Sequence, residues 1–490
     1  MSMGRRLPQV SSKGRGSSVT LYRRKRGLPE LTPVGETGQS PNLSLPSRRV
    51  LLDTAKGLMV WWLSAVLVLM TGEDARTVGG DETPERVVKA ISVRLPIAAF
   101  PSSAGLVPEP LGVVLIISSW NFPIGLSLEP LIGALAAGNA VVLKPSELAP
   151  ACSSLLAETI RDYLDNSAVK VIEGGSDKGQ RLLQYKFDKI FFTGSTRVGR
   201  VVMSAAAQHL TPVTLELGGK CPAVVDSFSS SWTTNVISSL FNYFLNFSIL
   251  KTTNLVVLFF FTLILKSVFI FKLETLIRHI KQSYGDDPNG SCSISKIVNN
   301  KHFSRLKSLL DDPMVKSSVV YGGSLDEESL FIEPTILVNP PLDAAIMTEE
   351  IFGPLLPIIT LESMEDSIDF IRARPKPLAL YAFTENENLQ KRLVSETSSG
   401  GIMFNDAILQ YVVDALPFGG VGESGFGRYH GKYSFDNFSH EKVVITRGTL
   451  LDIWFRYPPW TDYKLQLITA GFRYDYLKVV LIALGLKKKA

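Results

Sequence analysis

The sequence predicts an α/β protein, a parallel sheet covered by helices on both faces and followed by a second α/β domain. Three observations carry this. Short apolar runs rich in β-branched residues alternate with helical stretches: LGVVLIIS (111–118), AVVLK (140–144), VKVI (169–172) and KIFFT (189–193). A glycine-bearing turn, FTGSTRVG (192–199), joins the last of these runs to a helix. The chain has 490 residues, 45% of them hydrophobic and 20% charged, enough for two or three domains with a large core.

Taken in order, residues 1–50 are rich in Ser, Gly, Pro and Arg, with RRKR at 23–26. So few apolar residues favour a disordered tail. The same Arg- and Ser-rich, acid-poor composition fits an organelle transit peptide, and translated noncoding sequence would look similar. GLMVWWLSAVLVLM (57–70) is shorter than the roughly 20 residues of a spanning helix, and reads as a signal-like anchor or a buried helix. LGVVLIIS is continuous and β-branched, as a strand buried on both faces should be. LSLEPLIGALAAG (126–138) is an apolar helix, with Gly138 and Asn139 suited to its C-terminal cap. Residues 149–164 have the pattern of an amphipathic helix. From His302 to about His440 helices and strands mix again, forming the second domain. Two more apolar runs stand out. Residues 254–271 carry one charge, Lys266, and approach membrane-spanning length; residues 479–486 precede three lysines, as in a membrane-surface tail. Burial in the core is the expectation for both.

The net charge of +5 is local. Residues 1–50 hold ten Lys/Arg and two acids, a net +8, so the rest of the chain carries −3. No nucleic-acid partner is expected. Three cysteines, Cys152, Cys221 and Cys292, make neither a disulfide framework nor a metal-ligand cluster, and suit a reducing compartment.

Four motifs are read first on their own terms. In FTGSTRVG the free N–H groups and dipole of a helix start favour a phosphate, Gly194 allows a tight turn and Gly199 lets the helix approach the sheet. Alone, such a turn is plain structure. KPSE (144–147), taken alone, reads as a surface turn with solvated Lys and Glu. In WNFP (120–123), Asn121 lies beyond a strand's carboxyl end, where its amide can donate to an oxyanion, or it is an ordinary turn residue. In LELGGK (215–220), Glu216 sits between two leucines. Burial should raise its pKa and suit it as a general base; the alternative is a buried ion pair with a lysine such as Lys220.

Together with EEIFGP (349–354) and PFGGVGESGFG (417–427), these motifs resemble, in order, the NAD(P)-dependent aldehyde dehydrogenases, closest to the class 3 type of plants. The resemblance covers roughly residues 90–230 and 284–486. It implies a Rossmann-type cofactor domain over 89–215, a catalytic domain over 216–415 interrupted by an aberrant apolar segment at 233–282, and a cofactor-domain and oligomerisation region with tail over 416–490. Residues 1–88 carry no part of the resemblance and read as a disordered basic tail with a short apolar segment. The implied reaction is oxidation of small aliphatic or fatty aldehydes by a homodimer using NAD, with NADP tolerated. Lys144 and Glu147 would then touch the adenosine ribose. Gly194, Ser195 and Gly199 would form the pyrophosphate turn, Glu350 would hold the nicotinamide ribose, and Phe352 would pack near the ring. Asn121 would stabilise the oxyanion and Glu216 would activate water. Location in the cytoplasm, at a membrane or in an organelle stays open.

One component is missing. The resemblance implies a thiolate that adds to the aldehyde, downstream of Glu216. There the chain reads SILKTTNLVVLFFFTLILKS (248–267), and no cysteine occurs between Cys221 and Cys292. Cys152, at a helix start inside the cofactor domain, Cys221, five residues after Glu216, and Cys292, in a polar loop, read as inert thiols. Two alternatives follow: a catalytically silent relative that only binds dinucleotide, or a membrane-associated or unstable product of mis-splicing.

Overall fold

The computed structural model describes residues 102–226, 260–290, 294–447 and 454–486. The basic start, the apolar stretch 57–70, the first part of the unmatched segment and Cys292 lie outside them.

The four runs expected to be strands are strands. After β1 (Ser102–Pro110) come β2 (Val113–Ile117), β3 (Ala140–Lys144), β4 (Val169–Val171), β5 (Lys189–Gly194) and β6 (Val213–Leu217). β2 to β6 form a parallel sheet, in which β2 pairs with both β3 and β5. The chain therefore runs outward one way through β3 and β4, then returns to the other side of β2 for β5 and β6. The crevice between the carboxyl ends of β2 and β5 is a topological switch point, where α/β sheets bind ligands. Helices α1 (Gly125–Ala136), α2 (Pro150–Tyr163), α3 (Ser176–Leu182) and α4 (Thr196–Ala207) make the crossovers. Their apolar faces and the strands share one core that includes Val114, Ile116, Leu128, Leu131, Leu156 and Phe191.

Asn139 does more than end α1. Its buried side chain donates to Ala134 O at 3.0 Å and Phe438 O at 2.9 Å and accepts from Gly112 N at 2.9 Å. It thereby ties a C-terminal segment to the first crossover. Gly194 also differs from expectation. Its φ is not positive; what it supplies is room, since a Cβ there would stand 2.6 Å from the Phe192 ring. Gly199 behaves as expected: a Cβ would lie 2.7 Å from Leu217 Cδ2, so only glycine lets α4 pack this closely on β6.

A second sheet of seven strands follows. β7 (Cys221–Val225) and β8 (Phe260–Leu265) are neighbours. Next come β9 (Val319–Tyr321), the small β10 (Leu325–Asp326) and β11 (Phe331–Ile332) hairpin, β12 (Thr335–Val338), β13 (Leu355–Leu361), β14 (Ala379–Phe383) and β15 (Gly401–Phe404). The sheet order is β15-β14-β7-β8-β13-β12-β9, with only β9 antiparallel to its neighbour. The central strand, β8, comes from the segment read as aberrant. Thr262, Leu263 and Ile264 are buried, and α5 (Lys266–Tyr284) continues with Leu276, Ile280 and Tyr284 inward at four-residue spacing. Thr262–Ile264, the part of residues 254–271 whose burial is described, are thus core, as the expectation of burial had it. Among the described residues no helix is long and apolar enough to cross a membrane.

The C-terminal stretch returns to the first sheet. β16 (Gly425–Phe426) pairs antiparallel with β6, placing Gly425 opposite Glu216. β17 (Ser439–Arg447) pairs along its whole length with β1 in a separate two-stranded ribbon.

Candidate active site

The candidate residues lie at the carboxyl ends of the parallel strands of the first sheet and on loops of the second that meet them. Lys144 ends β3, buried; its Nζ donates to Glu147 Oε2 at 2.9 Å and Pro145 O at 3.2 Å. Glu147 is exposed. The solvated-turn alternative therefore fails for the lysine, and the pair is organised before any ligand arrives. Ser195 caps α4, its Oγ accepting from Val198 N at 3.4 Å. Thr196 Oγ1 donates to Glu423 O at 3.3 Å, anchoring the glycine-rich C-terminal loop to this helix start.

Asn121 follows β2, and its Oδ1 is buried without a hydrogen-bond partner. Glu216 occupies β6, two strands away, opposite Thr193 of β5. It is 4% exposed, and neither carboxylate oxygen has a hydrogen-bond partner. Burial pushes its pKa well above the usual carboxylate range. The ion-pair alternative is gone: Lys220 Nζ donates to Ile346 O at 2.6 Å and Glu349 O at 3.0 Å instead. Burial also lowers the Lys220 pKa to about 7. An unpaired, dry carboxyl beside a strand end can take a proton from water near neutral pH, and that is what a general base requires.

Glu350 lies against the LELGGK loop. It accepts from Gly219 N at 2.9 Å, and a Cβ on Gly218 would meet its Oε1 at 1.9 Å. Burial raises its pKa to about 7, against the opposing pull of the Gly219 N–H. Phe352 adopts φ +51°, a strained region for an aromatic residue, and its ring packs on Trp120 at 5.1 Å. The structure thus joins the EEIFGP loop to both LELGGK and WNFP, three motifs far apart in sequence.

Several contributors escaped the sequence reading. Arg305, in helix α6 (Asn300–Asp311), donates from Nη1 to Glu350 O at 3.1 Å and from Nη2 to Ile351 O. His302, one turn earlier, packs its ring on Trp120 at 5.6 Å. A buried polar cluster lies behind Glu216: His430 Nε2 is 3.1 Å from Glu129 Oε2, and the rings of Tyr429 and Tyr411 pack on His430 at 4.5 and 5.5 Å. Burial raises the Glu129 pKa, and raises that of Tyr429 with a contribution from Glu216 itself. A helical His-x-x-Arg spacing was visible beforehand; the Glu129–His430 contact, spanning most of the chain, left no local signal.

Comparison with known proteins decides what this arrangement is. The profile of the aldehyde dehydrogenase family matches residues 94–444. Aldehyde dehydrogenase family 3 member F1 of Arabidopsis thaliana is 53% identical over 395 residues, covering 81% of each chain. The chain belongs to the aldehyde dehydrogenase family. Among solved structures, the substrate-bound state of Staphylococcus aureus AldH is similar with a TM-score of 0.73 at 37% identity, over 88% of this chain and 95% of that one. The NAD-dependent aldehyde dehydrogenase from Sinorhizobium meliloti is similar with a TM-score of 0.63 at 27% identity, over 72% and 70%. The class 3 resemblance, the α/β fold and the NAD(P)-dependent enzyme family read from the motifs therefore hold.

The two described thiols are Cys221 and Cys152. Cys221 is the first residue of β7, buried, and burial pushes its pKa up to about 12. Burial also raises that of Cys152, on α2. Neither is a thiolate near neutral pH. The geometry leaves Glu216 a buried, unpartnered carboxyl and Asn121 a buried amide, and both described thiols have raised pKa values.

Proposed function

We propose that this chain binds NAD at the β2/β5 switch point and oxidises aldehydes at no more than a trace rate. The observation that carries this reading is the contrast between Glu216, buried and unpaired, and the absence of any cysteine from 222 to 291. The residues suit a dinucleotide: the α4 start, kept close to β6 by Gly199, takes the pyrophosphate, and Lys144 and Glu147 take the adenosine ribose. Glu147 favours NAD, and NADP is tolerated. Glu350 leaves Gly219 N–H to hold the nicotinamide ribose, and Phe352, braced by Trp120, lies near the ring.

When bound, the dinucleotide accepts a hydride from the substrate carbon. The residues must first turn a flat aldehyde into a tetrahedral donor. In the family mechanism a thiolate does this, and Glu216 later draws a proton from the water that releases the acid. Here Glu216 can only promote addition of water to the aldehyde, with Asn121 on the oxygen. An oxyanion held by one amide, without the nucleophile's own N–H, is weakly stabilised. The expected substrate class is medium or long aliphatic aldehydes. The β1–β17 ribbon, with Val443 and Ile445 63% and 61% exposed, supports assembly as a homodimer. NADH formation from NAD and an aliphatic aldehyde, measured on purified folded chain, tests the reading. A trace rate is expected, and robust turnover overturns it.

A further inference from the structure

One face of helix α6 backs the EEIFGP loop. His302, Arg305 and Leu306 share that face, being three and four residues apart. Arg305 holds the loop by the Glu350 and Ile351 carbonyls. Leu306 fills the space beside Gly353, where a Cβ would stand 2.5 Å from its Cδ1. His302 meets the WNFP segment instead. Its ring packs on Trp120 with centroids 5.6 Å apart and planes at 60°. Trp120 packs in turn on Phe352, at 5.1 Å and 59°. Rings from three separate segments thus form one aromatic corner.

The local features of this corner work against a charge on the imidazole. His302 lies in the first turn of α6, where the helix dipole disfavours a cation. Its Nδ1 is buried without a hydrogen-bond partner, so a proton placed there would have nothing to donate to. Burial lowers its pKa, and Arg305 and Lys301 on the same helix push it the same way. On the facing segments, Trp120 and Asn121 carry no charge. The loop carboxylates Glu349 and Glu350 pull on Arg305, and Glu350 accepts from Gly219 N. Lys220 donates to the Ile346 and Glu349 carbonyls. At neutral pH His302 is therefore an uncharged ring between two cations of its own helix.

Oxidised and reduced dinucleotide differ in the nicotinamide ring, a cation in NAD and neutral in NADH. Aromatic faces attract a cation, and a second cation beside them opposes that attraction. The charge on His302 thus bears on one redox form and much less on the other.

We propose that His302 is a positioning residue that sets the balance between oxidised and reduced cofactor. As an uncharged ring behind Trp120 it lets the Trp120–Phe352 corner attract the cationic nicotinamide of NAD; as a cation it turns the site towards NADH. This role presupposes the proposed cofactor site, with Phe352 near the nicotinamide ring.

Calorimetric affinities of the full chain for NAD and for NADH, measured from about pH 8 to about pH 5, test it. The ratio of the two dissociation constants isolates the ring, because the rest of the dinucleotide is shared. That ratio should move towards NADH by about threefold or more as His302 takes up its proton in acid. Glu350, whose pKa burial raises to about 7, titrates in the same range, so two variants separate the groups. His302→Gln should lose most of the shift, with its melting temperature measured alongside to show that it is folded. His302→Lys, a cation at every pH used, should already favour NADH by about tenfold at about pH 8. A pH-independent ratio in the parent, a shift that persists in full in His302→Gln, or a parent-like ratio in His302→Lys overturns the proposal, the second assigning the effect to Glu350. Binding of neither form at any pH overturns the cofactor site itself, and this role with it.

Discussion

β5 and β8 are both central strands of parallel sheets, buried and flanked on each side. β5, KIFFTG, runs into Ser195 and a helix whose start can hold a phosphate. β8, FFTLIL, runs into α5 with no functional group at either end among the described residues. The first lies in a motif that resembles the family and the second in a segment the sequence alone read as unmatched, although the family profile spans both; both occupy a sheet centre. A strand needs apolar, β-branched side chains of suitable length, which many sequences supply. A nucleophile needs one sulfur at one place, which few do. On the proposed reading, architecture survives a replacement that chemistry does not.

The sharpest way to break this comparison is to replace residues 233–282 with the corresponding segment of the Arabidopsis family 3 member F1. If only the nucleophile is lacking, aldehyde-dependent NADH formation should rise by about a thousandfold or more. In that chimera Glu216→Gln should lower it again by about 10²–10⁴-fold. A chimera that folds, binds NAD and stays inactive would mean that the fault lies elsewhere.

Cofactor binding gives the next effect. A Gly194→Val/Glu147→Ala variant puts a side chain into the Phe192 ring and removes the ribose acceptor. NAD affinity measured by calorimetry should fall about tenfold to hundredfold. Unchanged affinity would move the cofactor away from the switch point.

Two stability measurements compare the centres of the two sheets. Leu115→Ala in β2 and Leu263→Ala in β8 each remove a fully buried side chain. Both should cost about 2–5 kcal/mol in denaturant unfolding. A β8 variant that costs nothing would show that the strand does not sit in a core. Glu216→Gln should act the other way. A buried carboxyl with a raised pKa is harmless below its unfolded pKa, and its stability contribution is lost as pH rises through the folded value. The glutamine variant should therefore melt higher by about 2 °C or more at about pH 8, with the difference shrinking towards about pH 5. A difference independent of pH would mean that Glu216 is not the titrating group.

Much of the first sheet was legible because its strands are local apolar runs; the four expected strands lie within two residues of where they were placed, while β6 and β16 were not read as strands. Glu216 was legible for the same reason, a lone carboxylate in an apolar strand. Glu350 was expected at the nicotinamide ribose, but its seat on Gly218 and Gly219 was not, because tertiary packing made it. The Glu129–His430–Tyr411–Tyr429 cluster was invisible, since its members come from opposite ends of the fold and each reads as ordinary core alone. Residues 254–271 were legible as an apolar run to be buried, and not as holding a strand that leads into a helix, because period alone does not separate short apolar runs.

The central claim is that this aldehyde dehydrogenase keeps its cofactor site and has lost its nucleophile. One preparation of purified, folded chain tests both halves, with NAD binding measured by calorimetry and NADH formation with an aliphatic aldehyde measured by absorbance. Saturable NAD binding with a trace rate, unaltered by Cys221→Ala or Cys292→Ala, is the predicted result. Robust turnover that disappears in either variant would contradict it and locate a nucleophile the chain has moved.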